Sequence, residues 1–188
     1  MKDGAIASNP LNITFLTSGY NGKPGSPGVT AVSIADYWIW KYTNQTSNNY
    51  ASWQHVRSTG TLLTGEGFTM KGVANTNGNI SLEQNYVFNG KPNNGDITLT
   101  LSAGNDYLIG NPYASAIDAD KFINDNISVA DGGNAASNII DGTLYFWTHN
   151  TAITNNVYTV NDYAKYNYTG AVGTGDLTLG ESIFAGEH

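Results

Sequence analysis

The side chains of this 188-residue sequence best suited to chemistry are its rings. Trp53, Trp38, Trp40, Tyr50, Tyr113 and Trp147 offer flat apolar faces of the kind that stack on the C–H face of a pyranose, and Gln54 and Arg57 can bond hydroxyls at the rim. Trp53 leads the set, because residues 50–56 ("YASWQHV") are less strand-like than the other aromatic stretches and leave their tryptophan less committed to a core. A second chemistry is cation binding: Asp118, Asp120 and Asp125, with Asn124 and Asn126, supply the oxygens Ca²⁺ prefers. The EF-hand spacing is missing, and the plainer role of these acids is a turn and a helix cap. A third is hydrolysis. Glu66 and Glu181 hold corresponding places in two similar segments, so they could face each other across a cleft. Against that, there is no G-x-S-x-G and no H-E-x-x-H, and His55 and His149 form no zinc pair and read as exposed polar positions.

The elements that must carry these residues are strands. "ADYWIWKY" (35–42) reads as an extended run in which Tyr37, Ile39 and Lys41 share one face and Trp38, Trp40 and Tyr42 the other. Ile39 and at least one tryptophan should then be buried, and the exposure of the remaining rings separates a binding platform from a core. Further strands are expected over 11–18, 60–73, 85–90, 96–102, 106–110, 142–150, 161–170 and 176–186. Asn-Gly within 75–79 marks a hairpin. One short helix is expected over 115–126, with Ser115 as its cap. Asn111 before Pro112 must be extended and can bond the backbone of its own turn.

Composition agrees with strands and tight turns. Gly numbers 22, aromatics are 12% and charged residues only 12%, which suits pleated surfaces joined by turns and starves a helical fold. Eight Lys and Arg against fifteen Asp and Glu give a net charge of −7. Scattered cations in that ratio exclude a phosphate-tracking stripe and argue against nucleic acid and basic membrane attachment. An acidic surface is compatible with a neutral polysaccharide or a bound cation. There is no Cys, as in many bacterial secreted proteins. No apolar run is long enough to cross a membrane. Residues 1–10 lack the apolar centre of a signal peptide, so the chain reads as a piece of a longer protein with flanking domains.

Two segments echo each other, residues 36–73 and 143–186. Each has an aromatic stretch (Tyr37, Trp38, Trp40; Tyr145, Phe146, Trp147), an Asn/Thr turn, Tyr-Ala-x-aromatic (Tyr50 to Trp53; Tyr163 to Tyr166) and Gly-Glu-small-apolar (Gly65 to Phe68; Gly180 to Ile183). The echo implies two similar β-units packed together, with the aromatic strands at the centre.

The string "GKPNNGD" (90–96), then "IGNPYASAID" (109–118), "GTLYFW" (142–147) and "NDYAKYN" (161–167) resembles a module of large secreted and cell-surface proteins of Bacteroidetes, especially flavobacteria. Ala114 stands where that pattern has Pro. Gly65-Glu66-Gly67-Phe68 fits its final "GQGFF" better than Gly180-Glu181-Ser182-Ile183 does. The resemblance spans residues 36–186. It implies a β-rich, surface-associated module of proteins exported by the type IX secretion system, and it implies no catalytic residue.

Together these readings predict a single all-β domain over 1–188, turn-rich in its first 30 residues: a two-sheet, jelly-roll type sandwich with one short helix. The expected role is non-catalytic binding of polysaccharide by a secreted or surface protein, with no cofactor beyond a structural Ca²⁺. The alternative is a structural or adhesive spacer, and a glycan-active enzyme stands third.

Overall fold

The computed structural model describes residues 2–3, 11–26, 29–74, 84–147 and 163–172. The chain divides into two compact units, 1–114 and 115–188. Within the first lie β1 (Lys2–Asp3), β2 (Thr14–Leu16), β3 (Ser33–Ala35), β4 (Trp40–Lys41), β5 (Gln45–Thr46), β6 (Gln54–His55), β7 (Tyr86–Val87) and β8 (Asn105–Asp106). They pair as β1 with β7, β4 with β6 and β5 with β8, all antiparallel, and β2 with β3 in parallel. Within the second lie α1 (Ala119–Asn126), β9 (Leu144–Trp147), β10 (Tyr163–Asn167) and β11 (Gly170–Val172), the strands forming an antiparallel sheet in the order β11-β10-β9. Among the described residues the protein is therefore β-rich, with several small open sheets and one α-helix. The hairpin expected within 75–79 and the strand expected over 176–186 lie outside the described residues.

The core of the first unit is aliphatic. Ile13, Val32, Ile34 and Val73 form one buried cluster, with Met70 and Tyr86 packed against it. β-Branched side chains suit this position, being stiff and free of polar atoms. The expectation of a core built on the aromatic strands is corrected here. Ile39 is buried as expected, but none of the four tryptophans is, against the expectation of at least one.

The reason is a break in the expected strand. Asp36–Trp38 is a turn of 3-10 helix between β3 and β4, closed by Ile39 N–H on the Asp36 carbonyl at 3.1 Å. The Asp36 carboxylate is buried, 2% exposed, and accepts from Ser58 N–H (3.2 Å), Ser58 Oγ (2.9 Å) and Arg57 (3.4 Å). These bonds satisfy a charge that an extended chain would have to desolvate unpaired. Residues 96–102, expected as a strand, form no regular strand and lead to the turn before β8. The helix is about two turns long and is capped by Asp118, not Ser115. Asp118 Oδ1 accepts from Lys121 N–H at 3.0 Å, the geometry of a strong N-cap.

Candidate functional site

On a strand, neighbouring side chains point to opposite faces; in a 3-10 turn they lie about 120° apart, and residues three apart eclipse. The turn at Asp36–Trp38 thus gathers rings that alternation would have separated. Tyr37 and Trp38 meet edge to face at 5.1 Å, and Tyr37 reaches Trp40, three residues on, at 6.0 Å. The antiparallel register sets Trp40 opposite His55, whose ring stacks flat on the indole at 3.8 Å and also meets Tyr37 at 5.2 Å. His55 Nε2 lies 2.7 Å from the Tyr37 carbonyl, which can only accept, so Nε2 carries the proton. His55 is thus half-buried and packed, a correction to its reading as an exposed polar position.

Tyr20 completes the cluster from the turn before β3. It packs on Tyr37 at 4.9 Å and on Trp38 at 6.2 Å. Four contacts hold that turn in place. Trp38 Nε1–H donates to the Tyr20 carbonyl (2.9 Å), and Lys71 Nζ to Asn21 Oδ1 (2.8 Å). Lys23 exchanges backbone bonds with Ser33, and Ala74 N–H donates to the Gly22 carbonyl. Tyr20 is 58% exposed and Trp38 36%, while Tyr37, Trp40 and His55 are half-buried behind them. The result is a preorganised aromatic surface open to solvent.

Two cations border it. Lys71 Nζ lies over the Trp38 ring, 5.2 Å from its centre, and Arg57 Cζ over the Tyr37 ring, 5.5 Å from its centre. Arg57 has φ 54°, and the successive N–H groups of Val56 and Arg57 both donate to the Ile39 carbonyl. That bulge-like geometry turns the arginine toward Tyr37 and the buried Asp36.

The other candidates sit elsewhere. Trp53 is half-buried and packs edge-on against Tyr42 at 5.3 Å, so its ring contact is with a buried residue. Gln54 spends its carbonyl oxygen on Thr43 N–H and Oγ1. Tyr50, 84% exposed, lies on a 3-10 turn, Tyr50–Ser52, capped by Asn49. Tyr113 bonds the Gly95 carbonyl through its hydroxyl, and its N–H meets Asn111 Oδ1, the side-chain turn expected at Asn111. Trp147 belongs to the second unit, where it pairs across β9 and β10 with Tyr163 at 5.0 Å. The echo segments differ locally: Tyr50–Ser52 is a 3-10 turn, whereas Tyr163–Asn167 is a strand.

The acids have structural partners. Asp118 caps α1, Asp120 Oδ1 accepts from the Tyr166 hydroxyl (2.6 Å), and Asp125 Oδ1 accepts from Asn134 Nδ2 (3.3 Å). The bond to Asp120 raises the Tyr166 pKa, and those from Ser128 and Asn138 lower that of Asp131. Among the described residues, no three His, Cys, Asp or Glu side chains gather as a metal site. Glu66 is buried in an ion pair with Lys41 at 2.9 Å and accepts from Leu63 N–H and the Tyr107 hydroxyl. Burial alone would raise its pKa, but the bonds from Leu63, Lys41 and Tyr107 and the Lys41 charge together hold it below the usual value. Burial first, then the Glu66 carboxylate, raises that of Tyr107. Glu181 and His149 lie outside the described residues.

A concavity of about 330 Å³ in the second unit is lined by Asp131, Asn138, Asp141, Asn167 and Tyr168 among others, and contains none of the residues singled out from the sequence. Sequence reasoning missed Tyr20, Tyr37, His55 and Lys71 as site residues. Tyr20 had one readable signal, a ring inside the glycine-rich turn "SGYNGKPG", where no strand could bury it. No helix among the described residues is long and apolar enough to cross a membrane. Compared with known proteins, the chain matches a family model described as Domain of unknown function (DUF8693) over residues 23–187. No curated protein and no solved structure matches it.

Proposed function

The chain belongs to the DUF8693 family, and from that premise we propose that it is a non-catalytic polysaccharide-binding module whose platform is formed by Tyr20, Tyr37, Trp38, Trp40 and His55. The observation that carries this reading is that Tyr20 and Trp38 are in ring contact, both reach solvent, and are joined by the Trp38 Nε1–H bond to the Tyr20 carbonyl. A sugar stacks on one exposed ring face with polar groups at its edge, and Tyr20 and Trp38, inclined at 60° to each other, offer such faces side by side. Asn21, Lys71 and Arg57 supply that edge. In this reading the module works within a secreted or cell-surface bacterial protein, as the sequence resemblance implies, and its small sheets are parts of a two-sheet, jelly-roll type sandwich.

The test is intrinsic fluorescence with acrylamide quenching against a panel of soluble polysaccharides. One or more polymers should give a saturable change and shield tryptophan. Trp38→Ala should weaken the interaction about tenfold or more, since aromatic contacts of this kind exceed their area burial in worth. Trp53→Ala should leave it intact. If no polymer alters the fluorescence, the structural or adhesive reading takes its place.

A further inference from the structure

The platform's cations point to a class of ligand. We infer, building on the polysaccharide-binding reading, that the preferred ligand is an anionic polysaccharide, and that Lys71 selects it by receiving an acidic substituent of the sugar stacked at Trp38.

The protein has only eight Lys and Arg among 188 residues, yet two of them border one aromatic cluster. Their circumstances differ. The Arg57 charge is met by the buried Asp36 carboxylate at 3.4 Å. Lys71 has no such partner: the ion pairs among the described residues are Lys41 with Glu66 and Arg57 with Asp36. One N–H of its ammonium goes to the neutral Asn21 Oδ1; an ammonium has three. In a chain with almost twice as many acids as bases, an ammonium over an exposed indole and facing no carboxylate among the described residues leaves a positive charge at the platform without a described partner.

A pyranose lying on Trp38 presents its ring substituents at the edge of the indole. Lys71 keeps part of its surface open, and its ammonium, over the same indole at 5.2 Å from the ring centre, would lie within reach of a substituent of a sugar stacked beside it. A neutral hydroxyl makes little use of the charge. A uronate carboxylate or a sulfate ester adds an ion pair to the hydrogen bond, which a hydroxyl cannot. A compact ammonium on a flexible stem serves either anion, unlike the fixed fork of a guanidinium. The overall charge of −7 does not reverse this preference. At physiological salt, exposed charges beyond about 8 Å are largely screened, while a contact pair is not.

The experiment compares affinity electrophoresis and titration calorimetry for three polymers: a soluble neutral β-glucan, polygalacturonate and dextran sulfate. The proteins are wild type, Lys71→Gln, Lys71→Arg and Trp38→Ala, at 0.15 M and 1 M salt. Wild type should prefer an anionic polymer over the glucan by about tenfold, the worth of one charge-assisted bond. Lys71→Gln should remove that preference, weakening the anionic polymer far more than the glucan. Lys71→Arg should restore part of it, and 1 M salt should diminish it. Preference for polygalacturonate assigns a uronate, and preference for dextran sulfate a sulfate ester; either supports the inference. Equal binding of neutral and anionic polymers, or a Lys71→Gln protein that keeps its preference, overturns it while leaving the platform standing, provided Trp38→Ala weakens binding. Failure of all three polymers to bind wild type overturns the inference and the platform together.

Discussion

Glu66 shows how one buried side chain decides what a residue is for. Its carboxylate is held by Lys41, Leu63 N–H and Tyr107, so its charge supports the chain around β4. Because its folded-state pKa is lowered, its stabilising contribution is complete above the ordinary glutamate value near 4.5. That contribution is lost as pH falls below that value, through the lower folded-state pKa. Glu66→Gln should cost roughly 2 kcal/mol at pH 7, below the ~3–5 kcal/mol for breaking a fully buried pair because the Lys41 side chain keeps a fifth of its surface in water. Urea titrations at pH 7 and pH 3.5 should show the wild type losing part of its advantage at the lower pH. A constant gap between the two proteins would show that Glu66 does not titrate as the ion pair requires.

At the scale of the element, the turn at Asp36–Trp38 and the turn carrying Tyr20 form one device. The first clusters the rings, the second lays Tyr20 on them, and Gly22 sets how closely the two approach. A Cβ on Gly22 would lie 2.2 Å from the Ser33 carbonyl oxygen and 3.1 Å from Ile34 Cα, a backbone clash that a rotamer change cannot relieve. Gly22→Ala should therefore destabilise the first unit by about 1–3 kcal/mol, as overpacking does. It should also loosen Tyr20 from Trp38, raising acrylamide quenching in the folded protein. Wild-type stability with unchanged quenching would mean that Gly22 does not fix the turn.

At the scale of the whole molecule, the aliphatic core and the half-open tryptophans make one prediction together. The native protein should emit at a wavelength typical of partly hydrated indole, be quenched readily by acrylamide, and shift only modestly on unfolding, because no tryptophan leaves a dry core. A strongly blue-shifted native spectrum would contradict that distribution of rings. Metal removal belongs to this scale as well. With Asp118, Asp120 and Asp125 engaged by Lys121, Tyr166 and Asn134, a chelator should leave the melting temperature unchanged, and a fall of several degrees would reveal a bound cation.

By itself the sequence determined the strand-rich class, the short helix after Pro112, the side-chain turn at Asn111 and the importance of residues 37–42. These follow from local rules: β-branched and aromatic residues favour strands, proline restricts its predecessor, and asparagine bonds its own backbone. It also pointed to the stretch that carries the aromatic cluster while ranking Trp53 first and omitting Tyr20, Tyr37, His55 and Lys71. Only the tertiary structure decided that, because a two-residue alternation can be read along a chain but its interruption cannot. Asp36 becomes a turn residue through Arg57 and Ser58, twenty-one and twenty-two residues away. Which rings meet then depends on that long-range contact, on the β4–β6 register that sets His55 against Trp40, and on the anchoring of the Tyr20 turn to β3.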